Sequence, residues 1–290
     1  MADPQGGPTA AVIVLARNEG RRILRCLEAL LGQSRPPEQV IVIDHGSNDD
    51  TGERVRAVKD ARLHLLRADP RSGIAAARNL GVVAATADVL FFTDADCVPH
   101  RSWLAQGLAA LAEPGPAGVE GVTYYEADTP VTFRDSNTHQ FRPGEYMTCN
   151  VAYRRQALAA AGGFDPRFRH GHEDRELAFR VMRAGPIAFC PEMVVAHQRK
   201  RHSAGGIWRL ALRAGDLVLF FKLHGRQAPC RGPVLYPGRL LSMFLPPLIL
   251  ARESIRTWRD LGFAFIFYLY IFRERLVIWK AAWRHRIFVI

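Results

Sequence analysis

The sequence lacks the cysteine pattern that organises disulfide-rich and zinc-binding proteins. Only five cysteines occur among its 290 residues, and no two of them form a CxxC pair. Widely spaced, odd-numbered cysteines are typical of reduced thiols. Residues 1–9 also lack the basic start of a signal peptide. This glycine- and proline-rich segment is predicted to be disordered, and the protein is expected in the cytoplasm.

Acidic residues are scarce in the last third of the chain. Residues 199–290 contain 17 basic and 4 acidic residues, whereas residues 1–198 contain 22 basic and 24 acidic ones. The formal net charge of +11 therefore comes from the C-terminal region. Such a region indicates contact with a polyanion. Because no nucleic-acid recognition motif accompanies the charge, an anionic membrane surface is favoured over nucleic acid.

Strands and helices alternate along the first hundred residues. Continuous apolar runs predict buried strands, and amphipathic or alanine-rich segments between them predict helices. This alternation is typical of a doubly wound α/β sheet. The predicted strands are Ala11–Leu15, Gln39–Ile43, Leu63–Leu66 and Val89–Thr93, and the helices are Gly20–Leu31, Asp50–Val58 and Ser72–Ala85, with Ser72 as an N-cap.

The next hundred residues have a less regular pattern. The segment Glu126–Tyr146 is polar and has no period, which is typical of a functional loop, and it is expected to select the acceptor. Helices are predicted at Trp103–Leu111, Arg154–Ala161 and Glu173–Ala184, and strands at Val119–Tyr124, Cys149–Tyr153, Ile187–Phe189 and Met193–Ala196.

Asp94 and Asp96 follow the apolar fourth strand as a DxD sequence. In an extended chain, side chains two positions apart face the same way. Two carboxylates placed so closely repel each other unless a cation or a shared proton lies between them. Mg²⁺ and Mn²⁺ prefer oxygen ligands and substrate phosphates, so the pair predicts a metal site for a diphosphate. A solvated turn or a helix N-cap is the alternative.

Ligands of such sheets bind beyond the carboxyl ends of the strands. Asp44 follows the second strand, and Arg17, Asn18 and Glu19 follow the first, so these side chains are expected to converge with the DxD sequence.

Three further titratable residues lie in the second hundred residues. Glu173 and Asp174 begin a predicted helix, where acidic residues also favour the helix dipole. His197 ends the last predicted strand. A structural role is the alternative for each of them.

The chain resembles family 2 glycosyltransferases of the GT-A fold in seven separate blocks. The blocks occur in the order of the family and cover about Ala10 to His197. They are Val12–Glu19, Val42–Thr51, Gly73–Gly81, Phe91–Asp96, Asn150–Arg155, Gly162–Pro166 and Glu173–Gly185.

The resemblance implies a nucleotide-sugar donor and the residues that bind it. Arg78 would lie near the phosphates, Asp94 would face the ribose and the metal, and Asp44 would contact the base. The implied donor pocket consists of Arg17, Asn18, Glu19, Asp44, Arg78 and Asp94.

The resemblance also implies the metal ligands and the general base. Asp96 would bind Mn²⁺ or Mg²⁺, with His197 as a further ligand, and Asp174 would take the proton from the acceptor hydroxyl. Glu173 and Asn150 are expected on the acceptor side. The implied reaction is a single displacement with inversion at the anomeric carbon.

The family also contains processive polysaccharide synthases, whose QxxRW motif this chain lacks after Asp174. Transfer of one or a few sugars to a glycan or a lipid-linked acceptor is therefore expected. Two alternatives stay open: a nucleotidyltransferase that makes a sugar nucleotide, and a degenerate glycan-binding scaffold. The first usually has a glycine-rich loop after the first strand, where this chain has Arg17–Arg22.

These patterns predict a catalytic domain over residues 10–200, with a nucleotide-sugar half at 10–100 and an acceptor half at 101–200. Residues 201–290 are predicted to form basic amphipathic helices, at Gly206–Leu223, Leu240–Ala251 and Leu261–Phe272. None of these apolar runs reaches the length of about 20 residues that a membrane span needs. Their flanking arginines and tryptophans favour a position at the inner face of the cell membrane. Packing on the core or in an oligomer is the alternative.

Overall fold

A computed structural model describes residues 7–112, 115–126, 139–198, 203–225 and 258–288. These residues form two units. The first contains 7–112, 115–126, 139–166 and 173–198, and the second contains 167–172, 203–225 and 258–288. The predictions for residues 1–6, for 127–138 and for the helix at Leu240–Ala251 lie outside the described residues.

The first unit is built on one mixed sheet of eight strands in the order β3-β2-β1-β4-β7-β6-β8-β5. Strands β1 to β4 are parallel, β7 is antiparallel to both β4 and β6, and β8 is parallel to β6. The predicted α/β class and GT-A type of sheet are confirmed. The strands are β1 Ala10–Ala16, β2 Gln39–Asp44, β3 Leu63–Arg67, β4 Val89–Asp94, β5 Cys97–Pro99, β6 Gly118–Tyr125, β7 Val151–Arg154 and β8 Ile187–His197.

The described residues of this unit also form six helices: α1 Ile23–Leu31, α2 Thr51–Ala57, α3 Ile74–Ala84, α4 Trp103–Ala110, α5 Arg155–Ala160 and α6 Glu173–Val181. The side chains of the central strands are buried; Val12, Val42 and Phe91 have no exposed surface. Full burial of such a side chain contributes roughly 1.5–3 kcal/mol.

The strand register brings the predicted polar residues to one edge of the sheet. Leu15 of β1 lies opposite Asp94 of β4, and the next residue, Ala16, lies opposite Asp44 of β2. The parallel strands β2, β1 and β4 therefore end side by side, and their last residues open onto the same region.

Two predicted helix starts are wrong. Helix α1 begins at Ile23 rather than Gly20, because the backbone of Glu19 to Arg22 forms a turn. Ser72 does not cap α3. The N-cap is Gly73, whose φ of +86° a residue with a side chain rarely adopts, and the Ser72 hydroxyl instead donates to the Asp69 carbonyl at 2.7 Å.

The C-terminal strands of this unit also differ from the prediction. Ile187–His197 is one strand, whose register against β6 shifts between Gly121 and Val122. The sequence predicted two separate strands here, but a bulge lets one strand continue past Pro191. Strand β5 was not predicted; its three residues pair with the end of β8.

The second unit contains three helices among its described residues. They are α7 Ala204–Leu210, α8 Arg213–His224 and α9 Trp258–His285. The predicted single helix at Gly206–Leu223 is therefore wrong, since α7 and α8 are separate. Leu217 and Val218 of α8 pack against Ile278 of α9 in a buried apolar cluster. Among the described helices, none combines the length and the apolar character that crossing a bilayer requires.

Candidate active site

The loops after β1 and β2 are joined by hydrogen bonds. Asp44 is buried, and its Oδ1 accepts the backbone N–H of Ser47 at 2.9 Å. Asn18 has a φ of +56°, and its Oδ1 accepts the N–H of Asn48 at 2.9 Å. Arg17 and Asn18 are exposed beside the buried Asp44. In the predicted donor pocket, Asp44 is thus buried and held by a hydrogen bond, whereas Arg17 and Asn18 are accessible to a ligand.

Glu19 has a structural role in this loop. Its carboxylate is buried and lies 3.1 Å from the guanidinium of Arg22, and its N–H donates to the Thr51 hydroxyl at 2.9 Å. Its carbonyl accepts the N–H groups of Arg22 and Ile23 at the start of α1. The prediction that Glu19 lines the donor pocket stays a prediction, and its observed bonds hold α1 to the loop.

His45 is a residue that sequence reasoning missed. It is 3% exposed, and its Nε2 has no hydrogen-bond partner among the described residues. Burial, followed by the positive charge of Arg17, lowers the pKa of His45, so the ring is neutral at neutral pH. An orphaned buried nitrogen usually marks a place where water or a ligand binds. The signal was its position next to Asp44.

Arg78 connects two regions of the site. One guanidinium nitrogen lies 3.1 Å from Oδ1 of Asp94, and the other contacts Oε1 of Glu173. The Arg78 side chain is 6% exposed, and the ring of Phe164 lies beneath the guanidinium at 5.9 Å. Because both nitrogens bind carboxylates, Arg78 holds the end of β4 to the start of α6. Its predicted phosphate contact stays a prediction.

The charge of Asp174 acts on the same guanidinium. Burial disfavours the charged form of Arg78, but the charges of Glu173, Asp94 and Asp174 outweigh it and raise the pKa of Arg78. Asp174 is half-buried, and its Oδ1 accepts the N–H of Arg175 at 2.8 Å. The carboxylates of Asp94 and Asp174 therefore both favour the charged form of Arg78.

Glu173 and Asn150, both expected on the acceptor side, are buried. Glu173 binds Arg78, as described above. Asn150 accepts from the Trp103 indole at 2.8 Å and donates to the carbonyls of Val122 and Met193 at 2.7 and 3.0 Å. An acceptor role for either residue stays a prediction; the contacts of Asn150 hold three core segments together.

Asp96 and His197 form the second cluster. The Nε2 of His197 lies 3.6 Å from Oδ1 of Asp96, and its Nδ1 lies 3.0 Å from the carbonyl of Gln198. Since a carbonyl only accepts, Nδ1 donates to it, and Nε2 is the ring atom that faces the carboxylate. A carboxylate oxygen and an imidazole nitrogen 3.6 Å apart can both bind one metal ion held between them.

Cys97 completes the group of residues able to hold a metal ion. Ligand atoms of Asp96, Cys97 and His197 lie within 4.8 Å of one another. Burial, followed by the neighbouring Cys149, raises the pKa of the Cys97 thiol, which stays protonated. A neutral thiol is a weak ligand for a hard cation, whereas carboxylate and imidazole fit Mn²⁺ or Mg²⁺. Asp96 and His197 are thus the fitting pair.

Glu120, also missed from the sequence, fixes part of the predicted acceptor loop. It is fully buried and accepts hydrogen bonds from the Gln140 amide and the backbone N–H groups of Gly144 and Tyr146, at 2.5 to 2.8 Å. Residues 140–146 are thereby fixed to β6. The rest of the acceptor prediction, residues 127–138, lies outside the described residues.

The chain is similar to known glycosyltransferases. Glycosyltransferase AglE of Haloferax volcanii is 34% identical over 152 residues, which cover 50% of this chain and 50% of that protein. Pre-mycofactocin glycosyltransferase of Mycobacterium tuberculosis is 28% identical over 266 residues, or 83% of this chain and 54% of that protein. The chain spans about half the length of these curated relatives.

A solved structure shows the same fold. The mannosyltransferase PcManGT from Pyrobaculum calidifontis, in complex with GDP-Man and Mn²⁺, matches with a TM-score of 0.63 and 21% identity, over 96% of this chain and 89% of that one.

A family profile matches a continuous part of the chain that contains most of the site. Residues 11–174 match the profile described as "Glycosyl transferase family 2". This region runs from β1 to the start of α6 and includes Asp44, Asp96 and Asp174. Because the match covers more than half of the sequence, the chain belongs to glycosyl transferase family 2 and has the GT-A fold.

Proposed function

We propose that the protein is a metal-dependent, inverting glycosyltransferase that moves a sugar from a nucleotide diphosphate to an acceptor hydroxyl. The observation that carries this proposal is the buried Arg78, which binds both Asp94 and Glu173 and so brings the DxD sequence next to Asp174. A transfer reaction needs donor and base on opposite sides of one small space, and the contacts of Arg78 with Asp94 and Glu173 support such an arrangement.

The donor side consists of residues at the ends of β1, β2 and β4. Asp44 and the unpartnered Nε2 of His45 offer buried acceptors for the N–H and O–H groups of a nucleoside. Asp96 and His197 would hold Mn²⁺ or Mg²⁺, which supplies positive charge to the diphosphate when bound. The crystallised PcManGT complex, with GDP-Man and Mn²⁺, supports this assignment.

Asp174 acts as the general base in this proposal. The acceptor oxygen forms a bond to the anomeric carbon while the bond to the diphosphate oxygen breaks, and the leaving oxygen takes that electron pair. Asp174 accepts the hydroxyl proton. Attack from the side opposite the diphosphate inverts the anomeric configuration. Arg78 is a positioning residue, because its guanidinium is bound to the protein's own carboxylates.

The acceptor in this proposal is a glycan or a lipid-linked sugar, and the protein works at the inner face of the cell membrane without processive synthesis. Two features support this acceptor side. Glu120 fixes residues 140–146, and Arg175, next to the base, lies 2.5 Å from Glu145 in that loop. The basic, tryptophan-containing C-terminal region supports the membrane surface.

Asp174→Asn tests the base. Loss of the Asp174 carboxylate should lower the rate of sugar transfer by about 100-fold or more, since a positioned base typically contributes 10²–10⁴-fold. Binding of UDP or GDP with Mn²⁺, measured by thermal shift, should persist. Glu53→Gln is the matched control, because Glu53 is an exposed carboxylate on α2. Near-normal turnover of Asp174→Asn would contradict the assignment.

The assay also separates the two alternative functions. The full chain is incubated with Mn²⁺ and a panel of nucleotide sugars, and the nucleotide product is identified. Release of a nucleoside diphosphate supports glycosyl transfer. Formation of a sugar nucleotide from a sugar phosphate and a nucleoside triphosphate would indicate a nucleotidyltransferase, and binding without turnover would indicate a scaffold.

A further inference from the structure

Helix α9 exposes a stripe of large apolar side chains along one face. They recur at spacings of four and three residues, which place side chains on the same side of a helix. Their exposed fractions range from 37% to 85%. The stripe consists of Phe265, Leu269, Phe272, Leu276, Trp279 and Trp283. An exposed stripe of this length usually marks an interaction surface.

A cavity of about 660 Å³ lies beside α8 and α9 in the second unit. Its volume falls within the range of small-molecule sites. Leu212, Leu219 and Val277 form part of its apolar lining. Its charged lining is strongly biased, with Asp216 facing six cations: Arg167, Arg169, Lys222, Arg273, Lys280 and Arg284.

The carboxylate of Asp216 is bound by the backbone and does not pair with the two lysines of the lining. Its Oδ2 accepts the backbone N–H groups of His170 and Gly171 at 2.6 and 3.0 Å. Burial raises the pKa of Asp216 despite these bonds. Within the part of the chain that the structure describes, Lys222 and Lys280 form no ion pair. The carboxylate thus serves the fold, and the lysines face the cavity.

Two other cavity residues, His285 and Arg273, bear on the positive charge of this cavity. Burial, followed by the charges of Lys222, Arg284 and Arg167, lowers the pKa of His285 at the cavity edge. Arg273 is held in place by the Trp208 carbonyl at 2.5 Å and by the Trp208 ring at 4.5 Å. A positive field with at least one oriented guanidinium favours a phosphate over a carboxylate of lower charge.

The apolar stripe and the cationic lining are neighbouring faces of α9. Arg273, Val277, Lys280 and Arg284 each follow a stripe residue by one position, which is a rotation of about 100° around the helix. An elongated ligand is therefore offered an apolar surface and a cluster of cations side by side. That combination matches an amphiphile with a phosphate head.

We propose that the second unit binds the phosphate or diphosphate group of a lipid, with the head in this cavity and the apolar chain against the α9 stripe. None of the cavity residues belongs to the candidate donor site. The inference goes beyond the proposed sugar transfer and does not depend on it.

Calorimetric binding to the full chain in EDTA tests this site, with farnesyl diphosphate and inorganic pyrophosphate as probes. Farnesyl diphosphate should bind at least tenfold more tightly than pyrophosphate, because only it reaches the apolar surface. Lys280→Gln should weaken binding of farnesyl diphosphate by about three- to fivefold, as expected for one exposed ion pair. The charge-matched control is Arg286→Gln, which lies outside the cavity and should change the affinity less than twofold.

A third variant separates the head from the chain. Leu276 belongs to the α9 stripe and is 62% exposed, so Leu276→Ser should fold normally. The variant should weaken binding of farnesyl diphosphate and leave binding of pyrophosphate unchanged.

Three results would overturn the proposal. Equal affinities of the two probes would show that the apolar chain does not contribute to binding and that the cavity binds a free phosphate compound. Equal losses in Lys280→Gln and Arg286→Gln would indicate unspecific charge attraction. Loss of binding in Asp44→Ala would place the probe in the donor pocket of the first unit. Because the measurement uses no donor and no metal, failure of sugar transfer would not affect its outcome.

Discussion

In the first unit, a buried cation is paired with two carboxylates, whereas in the second unit several exposed cations line one cavity. Arg78 binds Asp94 and Glu173, which lie 16 and 95 residues away in sequence. Lys222, Lys280 and Arg284 line the cavity of the second unit, where Asp216 is the acidic residue among the described lining residues.

This difference separates two uses of charge. A buried ion pair fixes the relative positions of distant segments, and removing one partner is costly. Exposed cations without partners contribute little to stability and stay available to a ligand. We therefore expect substitutions of charge to affect folding and geometry in the first unit and binding alone in the second.

Arg78→Met should give the largest effect. It leaves Asp94 and Glu173 without their cation, and loss of one partner of a buried pair costs about 3–5 kcal/mol in free energy of unfolding. Urea denaturation measures this change. Arg286→Met, an exposed cation of the second unit, is the control and should change the free energy by less than about 0.5 kcal/mol.

The conservative variant keeps this prediction testable if Arg78→Met does not fold. Arg78→Lys retains the charge but offers only one nitrogen, so it should fold with a smaller loss of stability and a lower rate of transfer. Equal stability of Arg78→Lys and the unaltered chain would show that the bridge between the two carboxylates has no structural role.

His197→Ala should weaken Mn²⁺ binding while leaving the fold intact. Removal of one of two protein ligands is expected to lower the affinity at least about tenfold. Electron paramagnetic resonance of free Mn²⁺ in the presence of a nucleoside diphosphate measures it. His100→Ala serves as a control, because His100 follows the adjacent strand β5 and contacts Tyr124. Unchanged Mn²⁺ affinity would exclude His197 as a ligand.

Asp88→Asn should have the smallest effect, with a defined pH dependence. Hydrogen bonds from the hydroxyl and N–H of Thr9 lower the pKa of Asp88 in the folded state. Its stabilisation is therefore present above the unfolded pKa and disappears as the pH falls through the folded one. The variant should lose roughly 0.5–1 kcal/mol at pH 7, allowing for its exposure, and nothing in acid.

Asp216→Asn is the contrasting variant in the second unit. Burial raises the pKa of Asp216, so its ionised form opposes folding at neutral pH, and the amide keeps an acceptor for the two backbone N–H groups. No loss of stability is expected at pH 7. Denaturation curves at pH 7 and pH 4 compare the two variants, and the same pH profile for both would contradict this distinction.

The parallel half of the sheet was predictable because each of its strands is an unbroken apolar run. Leu15, Asp44 and Asp94 could be placed at one edge from the strand ends alone. The strands β5 and β8 were harder, because their pairing depends on partners far away in sequence. The two strands predicted at Ile187–Phe189 and Met193–Ala196 are one strand that contains a bulge.

The sequence predicted where the site residues lie in the fold better than it predicted which residues they contact. The ends of β2 and β4 indicated Asp44, Asp94 and Asp96, but no local pattern shows that Arg78 binds Glu173 across 95 residues. His45 and Glu120 were missed for the same reason, since their importance lies in burial and in partners contributed by other segments. Long-range ion pairs are a product of the fold.

A crystal structure of the full chain with a nucleoside diphosphate and Mn²⁺ tests the central claim most directly. The account predicts an anomalous peak bound to the diphosphate and about 2.0–2.3 Å from both the Asp96 carboxylate and Nε2 of His197. It further predicts that the Asp174 carboxylate faces the same cavity from the opposite side. A metal bound elsewhere, or an Asp174 that opens onto a different surface, would contradict it.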